Sequence, residues 1–316
     1  MKRIKINKIA NEKTFEEGFD EFLFDCKSRN LRTDTLGHYE QGYKQLIKYL
    51  DKDTIINSIN LKFYENFVVE VRKNKNINSQ TIYTYARDLS TIIHFFQKKE
   101  YIPVFKIVLP KPDKKPVEVY SEEDIKKLLK KPNLKKCSWA YYRNYCIVST
   151  FFGLGIRLSS LINIRIKDID WDSETIKVMH TKNHKPLTLP IPNELLKILK
   201  EYLQHRQFKN LDDFLFCNIY GNQIKRNGIT QAVRNYNKKC GVNKTSIHAM
   251  RHTFAKYWIM SGKSVATLQK ALSHSSLQMT QNYINILTND LKEDMQENNI
   301  LSQFSNNRIK LRQERY

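Results

Sequence analysis

The sequence has no long apolar run. Its most apolar stretch, residues 146–156, includes a serine and a threonine and is shorter than the ~20 apolar residues that a membrane-spanning helix needs. The first eleven residues carry charges and are not followed by the apolar core of a secretion signal. We therefore expect a cytoplasmic protein that does not associate with a membrane.

Cysteine, glycine and proline are also scarce. The five cysteines are odd in number and include no CxxC pair, which predicts reduced thiols rather than a disulfide framework or a metal site. With 9 Gly and 8 Pro in 316 residues, the chain is neither collagen-like nor of low complexity. Hydrophobic residues make up 41% of it, including 17 Tyr and 16 Phe, which is enough for ordinary packed cores.

Acidic residues are few relative to basic ones. Asp+Glu is 32 against 54 Lys+Arg, a formal net charge of +22. Such an excess is typical of a protein with a polyanionic partner, usually nucleic acid. The alternative is an AT-rich genome, because Lys, Asn and Ile are all abundant. The excess lies mainly after residue 105, since residues 1–105 hold 18 basic and 14 acidic side chains.

Residues 12–105 read as a four-helix domain. Thr14 and Glu17 have the spacing of a capping box, and four stretches with apolar residues at helical spacing follow. The fourth has a polar face that could bind DNA or simply be solvated. The candidate DNA-binding residues on that face are Thr81, Tyr83, Thr84 and Arg87.

A basic linker at 106–117 separates this domain from the rest. Prolines at 103, 110, 112 and 116 exclude a continuous helix. Three lysines lie among them, Lys111, Lys114 and Lys115, and are further candidates for DNA contact.

The second domain, at 118–290, is predicted to be mostly helical with a small antiparallel sheet. A capped helix begins at Ser121, and a largely apolar helix runs from about Trp139 to Gly153 or Gly155. Residues 175–191 suggest a β-hairpin with a basic tip at 182–185. Further helices are expected at about 193–206, 229–239, 247–260, 264–272 and 277–286. Residues 291–316 form a weakly patterned basic tail.

Six residues of this domain could carry chemistry: Arg157, Lys182, His248, Arg251, His274 and Tyr283. Each by itself has an ordinary structural explanation, such as a solvated lysine at a hairpin tip or a tyrosine packed at a helix end. No P-loop and no cluster of metal-ligand residues accompanies them, so the sequence predicts no metal and no cofactor.

Their order along the chain resembles the active-site set of the tyrosine recombinases, the phage-integrase family. The segment GLGIRLSSLINIRIKDID is similar to the first arginine box, and HTKNHKPLTLPIP to the lysine hairpin. SIHAMRHTFAKYWIMSG is similar to the HxxR box, and LSHSSLQMTQNYINI to the histidine-to-tyrosine segment. The helical first domain matches the core-binding domain of the family, so the resemblance covers the whole chain.

The resemblance implies cleavage of DNA through a covalent intermediate. Tyr283 would attack the phosphorus and form a 3′-phosphotyrosine, with His248 as its base and Lys182 as the acid that protonates the leaving 5′-oxygen. Arg157 and Arg251 would hold the non-bridging oxygens, and His274 would assist at the phosphate. Lys185 is the alternative acid, and His252 is assigned a structural role.

The family also implies double-stranded DNA as partner and a homo-tetramer on two DNA sites, joined by exchange of C-terminal segments. Accessory or directionality proteins are possible partners. Two departures stand out: Ser160 replaces a frequent acidic residue, and Ser273 replaces a frequent glycine with little expected effect. Three further alternatives stay open: a type IB topoisomerase, a non-catalytic basic DNA-binding protein, and, within the family, Xer-type dimer resolution instead of service to a mobile element.

Overall fold

The computed structural model describes residues 13–113, 117–179, 186–273 and Thr280. The chain divides into two compact units, Met1–Lys115 (unit 1) and Pro116–Tyr316 (unit 2). Each has its own hydrophobic core, as independently folding domains do. No helix in the described part of the chain is both long and apolar enough to span a membrane.

The described part of unit 1 contains four α-helices and a 3₁₀ turn at Ile56–Ser58, and three of the α-helices have capped starts. Thr14 and Glu17 form the predicted capping box at the first helix, and Asn60 and Asn78 accept backbone N–H bonds at the third and fourth. Each helix has a buried apolar stripe that faces a common core. The helices are α1 (Phe15–Ser28), α2 (Thr33–Leu46), α3 (Leu61–Lys73) and α4 (Ser79–Lys98).

The segment after α4 lies on unit 1 rather than standing free. Phe105, Ile107 and Leu109 pack against the core of this unit, and the Gln97 side chain donates to the Phe105 carbonyl at 3.1 Å. The backbone N–H of Asp113 donates to the Ser79 hydroxyl at 3.1 Å. Much of the proline-rich segment is therefore fixed to unit 1 although it is neither helix nor strand.

Unit 2 is built around one buried helix. The predicted apolar helix is α6, which is buried on nearly all sides, as expected for a helix with no polar face. Helices α8, α9 and α10 pack against it. The helices are α5 (Glu122–Leu128), α6 (Trp139–Leu154), α7 (Leu158–Leu161), α8 (Asn193–His205), α9 (Arg226–Lys239), α10 (Ile247–Met260) and α11 (Val265–Ala271).

The sheet of unit 2 is antiparallel and has three described strands, β1 (Ile169–Asp170), β2 (Thr175–Val178) and β3 (Leu187–Pro190), in that order. Strands β2 and β3 form the predicted hairpin, with Ile176 opposite Leu189. The mainly helical class with a small antiparallel sheet is thus confirmed. The expected helix at 277–286 lies outside the described residues.

Candidate active site

Two arginines of unit 2 converge on one turn of backbone. Arg157 immediately precedes α7, and Arg251 lies in the second turn of α10. The carbonyl of Leu272, just after α11, accepts from both: from Nη2 of Arg251 at 2.6 Å and from Nη1 of Arg157 at 3.3 Å. The two guanidinium groups therefore lie side by side although 94 positions separate them in the sequence.

The arginines make further bonds to backbone carbonyls. Arg157 donates from both Nη atoms to the Ser273 carbonyl at 3.3 Å, and Arg251 donates from Nη1 to the Gly155 carbonyl at 2.8 Å. Arg251 is 4% exposed, and a charged group at that depth needs such acceptors. Backbone carbonyls hold both guanidiniums in fixed positions without neutralising their charge.

Packing of the Leu272 side chain fixes the position of the carbonyl that both arginines share. The Leu272 side chain is buried with Leu268 and Ala255 in a small cluster between α10 and α11. The next residue, Ser273, has φ +50°, a left-handed conformation that costs a residue with a Cβ roughly 1–2 kcal/mol. Glycine would adopt this turn freely, so the sequence expectation of little effect from Ser273 overlooks a conformational cost.

Gly155 helps to position both arginines because it ends α6. It has φ +59° and is the C-terminal cap of that helix, which turns the chain toward Arg157 two residues later. A Cβ at this position would lie 2.4 Å from the Phe254 ring, so conformation and space both require glycine. The sequence left Gly153 and Gly155 open as the end of α6, and the structure selects Gly155.

His248 lies in the first turn of α10, one helical turn before Arg251. Its pKa is lowered from the ordinary value by partial desolvation and then by the positive charges of Arg251 and Arg157. The imidazole is therefore neutral near pH 7 and able to accept a proton. The influence of Arg157 on His248 also shows that all three side chains belong to one electrostatic cluster.

The His252 ring lies against that of His248, with ring centroids 4.3 Å apart. Desolvation and the charges of His248 and Arg251 lower its pKa to about 4. The sequence predicts a structural role for His252, because it lies on a different face of the helix from its neighbour Arg251. The four-residue spacing from His248 is the signal that would have revealed this contact.

The other predicted catalytic residues, Lys182, His274 and Tyr283, lie outside the described residues, as do Lys185, Lys114 and Lys115. Ser160, at the position of the missing acidic residue, is buried. Among the described residues, no three His, Cys, Asp or Glu side chains are grouped as metal ligands.

The predicted DNA-binding residues of unit 1 are distributed along α4. Arg87 is exposed, whereas Thr81, Tyr83 and Thr84 are half-buried. Thr81 also takes part in the helix cap, since its N–H and hydroxyl both donate to Asn78. Lys111 is exposed in the segment that follows α4. The exposure of these side chains is consistent with a polar face on α4.

The groups that hold the two arginines were not predicted from the sequence. They are carbonyl oxygens of residues 155, 272 and 273, and every residue type has a carbonyl oxygen. No residue pattern could have identified them directly. The glycine at 155 was the single indirect signal, since a helix-ending glycine fixes where the chain turns.

The sequence is similar to a known protein family and to proteins of known name. The model of the "Phage integrase family" matches residues 118–290. The tyrosine recombinase XerD of Staphylococcus haemolyticus is 26% identical over 84% of this chain and 92% of its own length. XerC of Staphylococcus epidermidis is 27% identical over 86% and 93%.

Solved structures show the same fold. The integrase of transposon Tn1549 in complex with a circular intermediate DNA has a TM-score of 0.71 and 19% identity, covering 89% of this chain and 99% of that one. A λ integrase dimer bound to a core site has a TM-score of 0.68 and 15% identity, covering 86% and 95%.

The family model and the recombinase relatives define the class as site-specific recombinases. The chain belongs to the phage integrase family, the site-specific tyrosine recombinases.

Proposed function

We propose that this protein recombines specific DNA sites by the six-residue chemistry that its sequence predicts. The observation that supports this most strongly is the shared Leu272 carbonyl, because it places the Arg157 and Arg251 guanidiniums side by side. Planar guanidiniums match the geometry of phosphate oxygens and stay charged. Two of them at one point can stabilise the charge that gathers on the phosphate in the transition state.

In this proposal the Tyr283 oxygen attacks the phosphorus while the bond to the 5′-oxygen breaks, which leaves a 3′-phosphotyrosine and a free 5′-hydroxyl. Neutral His248 takes the phenol proton, as its lowered pKa allows, and Lys182 supplies a proton to the leaving oxygen. His274 hydrogen-bonds the phosphate. A 5′-hydroxyl of the partner DNA then attacks the phosphotyrosine and releases Tyr283, so the number of phosphodiester bonds is conserved.

The test is covalent capture on a DNA duplex with a nick beside the cleavage site, where the cut strand loses its short end and cannot be resealed. Wild type should accumulate a protein–DNA adduct that survives denaturing electrophoresis. Tyr283→Phe should bind the same DNA and form no adduct. Adduct formation by Tyr283→Phe would assign the nucleophile elsewhere, and absence of any adduct with wild type would favour a non-catalytic DNA-binding protein.

Two other tyrosines of unit 2 are alternative candidates for the nucleophile. The hydroxyl of buried Tyr236 donates to the Leu128 carbonyl at 2.8 Å, and burial raises its pKa well above the ordinary value, so it is a poor nucleophile. Tyr257 is 40% exposed on α10 and is the better alternative. Tyr257→Phe is therefore the matched control, which should form the adduct at the wild-type rate.

We propose integration and excision of a mobile element as the biological role. The fold shared with a transposon integrase is compatible with it. The specific alternative is Xer-type dimer resolution, favoured by the matches to XerC and XerD over more than four-fifths of the chain. Mapping the covalent adducts on host DNA separates the two roles. Adducts at the ends of an inserted element support the first, and adducts at one site of the chromosome or of a plasmid support the second.

The working form is proposed to be a homo-tetramer on two DNA sites, as a λ integrase tetramer is on a Holliday junction. Subunits would exchange C-terminal segments within 291–316. An apolar groove of about 750 Å³ in unit 2, lined by residues such as Phe152, Phe254 and Trp258, is a suitable receptor. Deletion from Asn298 onward should weaken assembly on paired sites more than binding to one site, and equal effects on both would argue against exchange.

A further inference from the structure

Unit 1 contains a buried carboxylate that packing alone does not explain. Asp88 of α4 is 4% exposed and faces α2, where Gly42 makes room for it. A Cβ at position 42 would lie 3.0 Å from Oδ2 of Asp88. Burying a carboxylate costs several kcal/mol of desolvation, and an apolar side chain of similar size would commonly stabilise the helix pair better. The position of this group calls for a reason beyond folding.

Asp88 contacts the exposed side chains of Arg87 and His38, which come from different helices. Its Oδ1 lies 3.2 Å from Nη2 of Arg87 on α4 and 3.4 Å from Nε2 of His38 on α2. Both partner side chains are 46% exposed. Most exposed ion pairs are mobile and contribute little. Here the carboxylate is fixed in the helix interface, so it holds both partner side chains at the surface.

The same geometry offers His38 two hydrogen-bonding states. Its Nε2 lies 3.3 Å from Nη2 of Arg87. A neutral ring can accept there, which occupies the arginine. A protonated ring can only donate, so Nε2–H must turn to Asp88 while Nδ1–H is left for another acceptor, and Nη2 of Arg87 loses its contact with His38 but keeps its bond to Asp88. Protonation also changes the net charge of the three side chains from zero to +1.

The charged and titratable groups around His38 are few. Arg87 and Asp88 face it from α4, and Tyr39 lies beside it on α2 with ring centroids 5.9 Å apart. Arg29, which follows α1, acts on the Tyr39 phenol together with Asp88 and Arg87. Asp34 is an exposed carboxylate one turn before His38 on α2. A DNA phosphate would compete with it for the added positive charge.

We propose that Asp88 is a positioning residue that holds His38 and Arg87 as a phosphate clamp across α2 and α4, and that the clamp binds DNA with His38 protonated. The proposal rests on the proposed function, namely that unit 1 binds duplex DNA. Arg87 was already a candidate contact, whereas His38 and Asp88 were not. Two donors that are held in place on two helices fix a phosphate better than a single arginine whose side chain moves freely.

The test measures the affinity of the full chain for a fluorescent duplex of random sequence, because phosphate contacts do not depend on sequence. Affinity is measured against salt at about pH 5.5 and about pH 8, because the lower pH favours the protonated imidazole. Each phosphate contact contributes about 0.9 to the slope of log affinity against log salt. Arg87→Gln and His38→Gln should each lower the slope by about that amount at the lower pH, and both should change it less at the higher pH.

Asp88→Asn separates positioning from simple electrostatics. Removing a negative charge near DNA should strengthen binding if Asp88 acts only through its charge. A positioning role predicts weaker binding and loss of the pH dependence that His38 provides. Glu40→Gln removes an exposed acid from α2 and is the matched control, expected to leave binding unchanged or slightly stronger.

The outcomes are distinct. If His38→Gln keeps the pH dependence of wild type, or if Asp88→Asn strengthens binding as Glu40→Gln does, the clamp is disproved. Should Asp88→Asn fail to fold, the exposed substitutions His38→Gln and Arg87→Gln still decide. Failure of the wild-type chain to bind any duplex or to form the covalent adduct would instead refute the proposed function.

Discussion

At the scale of single residues, His252 links the active site to the pH dependence of stability. Its pKa is about 4 in the folded chain, against about 6.5 in an unfolded one. Between these pH values the unfolded state binds more protons, so stability is full above pH 6.5 and falls as the pH drops toward 4. His248 acts in the same direction.

We expect His252→Gln to flatten this dependence. One such group contributes at most about 1.4 kcal/mol per pH unit, and partial exposure reduces that figure. Thermal unfolding followed at several pH values between 4 and 7 measures the effect. His205→Gln, at an exposed position of α8, is the control and should unfold as wild type does. A wild-type pH profile for His252→Gln would disprove the link.

Lys182 can be distinguished from the arginines by changing the leaving group. Replacing the bridging 5′-oxygen of the DNA by sulfur gives a thiolate, which leaves without a proton. Lys182→Ala should lose about 10²–10⁴-fold in cleavage rate on ordinary DNA and recover much of it on the sulfur substrate. Arg157→Ala should not recover, because its role concerns the non-bridging oxygens.

The two hairpin lysines are compared in the same assay. Recovery by Lys185→Ala, and not by Lys182→Ala, would show that the other lysine of the hairpin is the acid. If neither recovers, the acid lies outside the hairpin and the family assignment is unaffected.

At the scale of elements, the end of α6 controls the arginine pair. We predict that Gly155→Ala destabilises unit 2 by about 1–3 kcal/mol, because the new Cβ meets the Phe254 ring in a strained conformation. Cleavage should fall further than stability explains, since the Gly155 carbonyl holds Arg251. Urea unfolding and single-turnover cleavage of nicked DNA measure the two effects.

Gly153→Ala is the matched control in the same helix. Its Cβ would lie 3.0 Å from the flexible end of Leu195, and alanine favours a helix over glycine. Stability close to wild type and normal cleavage are expected. Equal damage from both substitutions would show that glycine in α6 matters for packing alone.

Much of the element pattern was predictable, for reasons that are local. The capping box at α1 and the apolar stripe of α4 are short-range signals, and α10 has the predicted bounds, 247–260. Strand β1 was missed because it is two residues long, too short for an alternating pattern. Helix α9 begins at Arg226 rather than 229, since no side-chain cap marks its start.

The site was predictable to a lesser degree. The sequence motifs identify Arg157, His248 and Arg251, and the structure brings them together. The contact of His252 with His248 and the carbonyls at 155, 272 and 273 depend on how α6, α10 and α11 pack. Tertiary packing of that kind leaves no residue pattern in a single sequence.

At the scale of the whole molecule, the segment between the units should be cut at one place by trypsin. Lys111 and Lys115 each precede a proline, and trypsin does not cleave such bonds. Lys106 lies between residues packed on the core of unit 1, which protects its backbone. Limited digestion should therefore cut after Lys114, as mass spectrometry of the fragments would show. Early cleavage after Lys106 would mean that the packed segment opens readily.

The resulting C-terminal fragment has the core of unit 2 and the candidate catalytic residues. We expect it to form the covalent adduct on nicked DNA but to bind intact duplex more weakly than the full chain, since unit 1 and its proposed contacts are gone. Gel shifts with the fragment and the full chain compare the affinities. Equal affinity would show that unit 1 does not help to hold the DNA.

The carbonyls that hold the arginines also bear on how the protein can evolve. A hydrogen bond to a backbone oxygen survives any change of side chain that leaves the path of the chain intact. Position 273 can therefore hold serine in place of glycine while its carbonyl still accepts from Arg157. Homologues can vary in sequence around this turn and keep the same site, so divergence there is poor evidence for loss of activity.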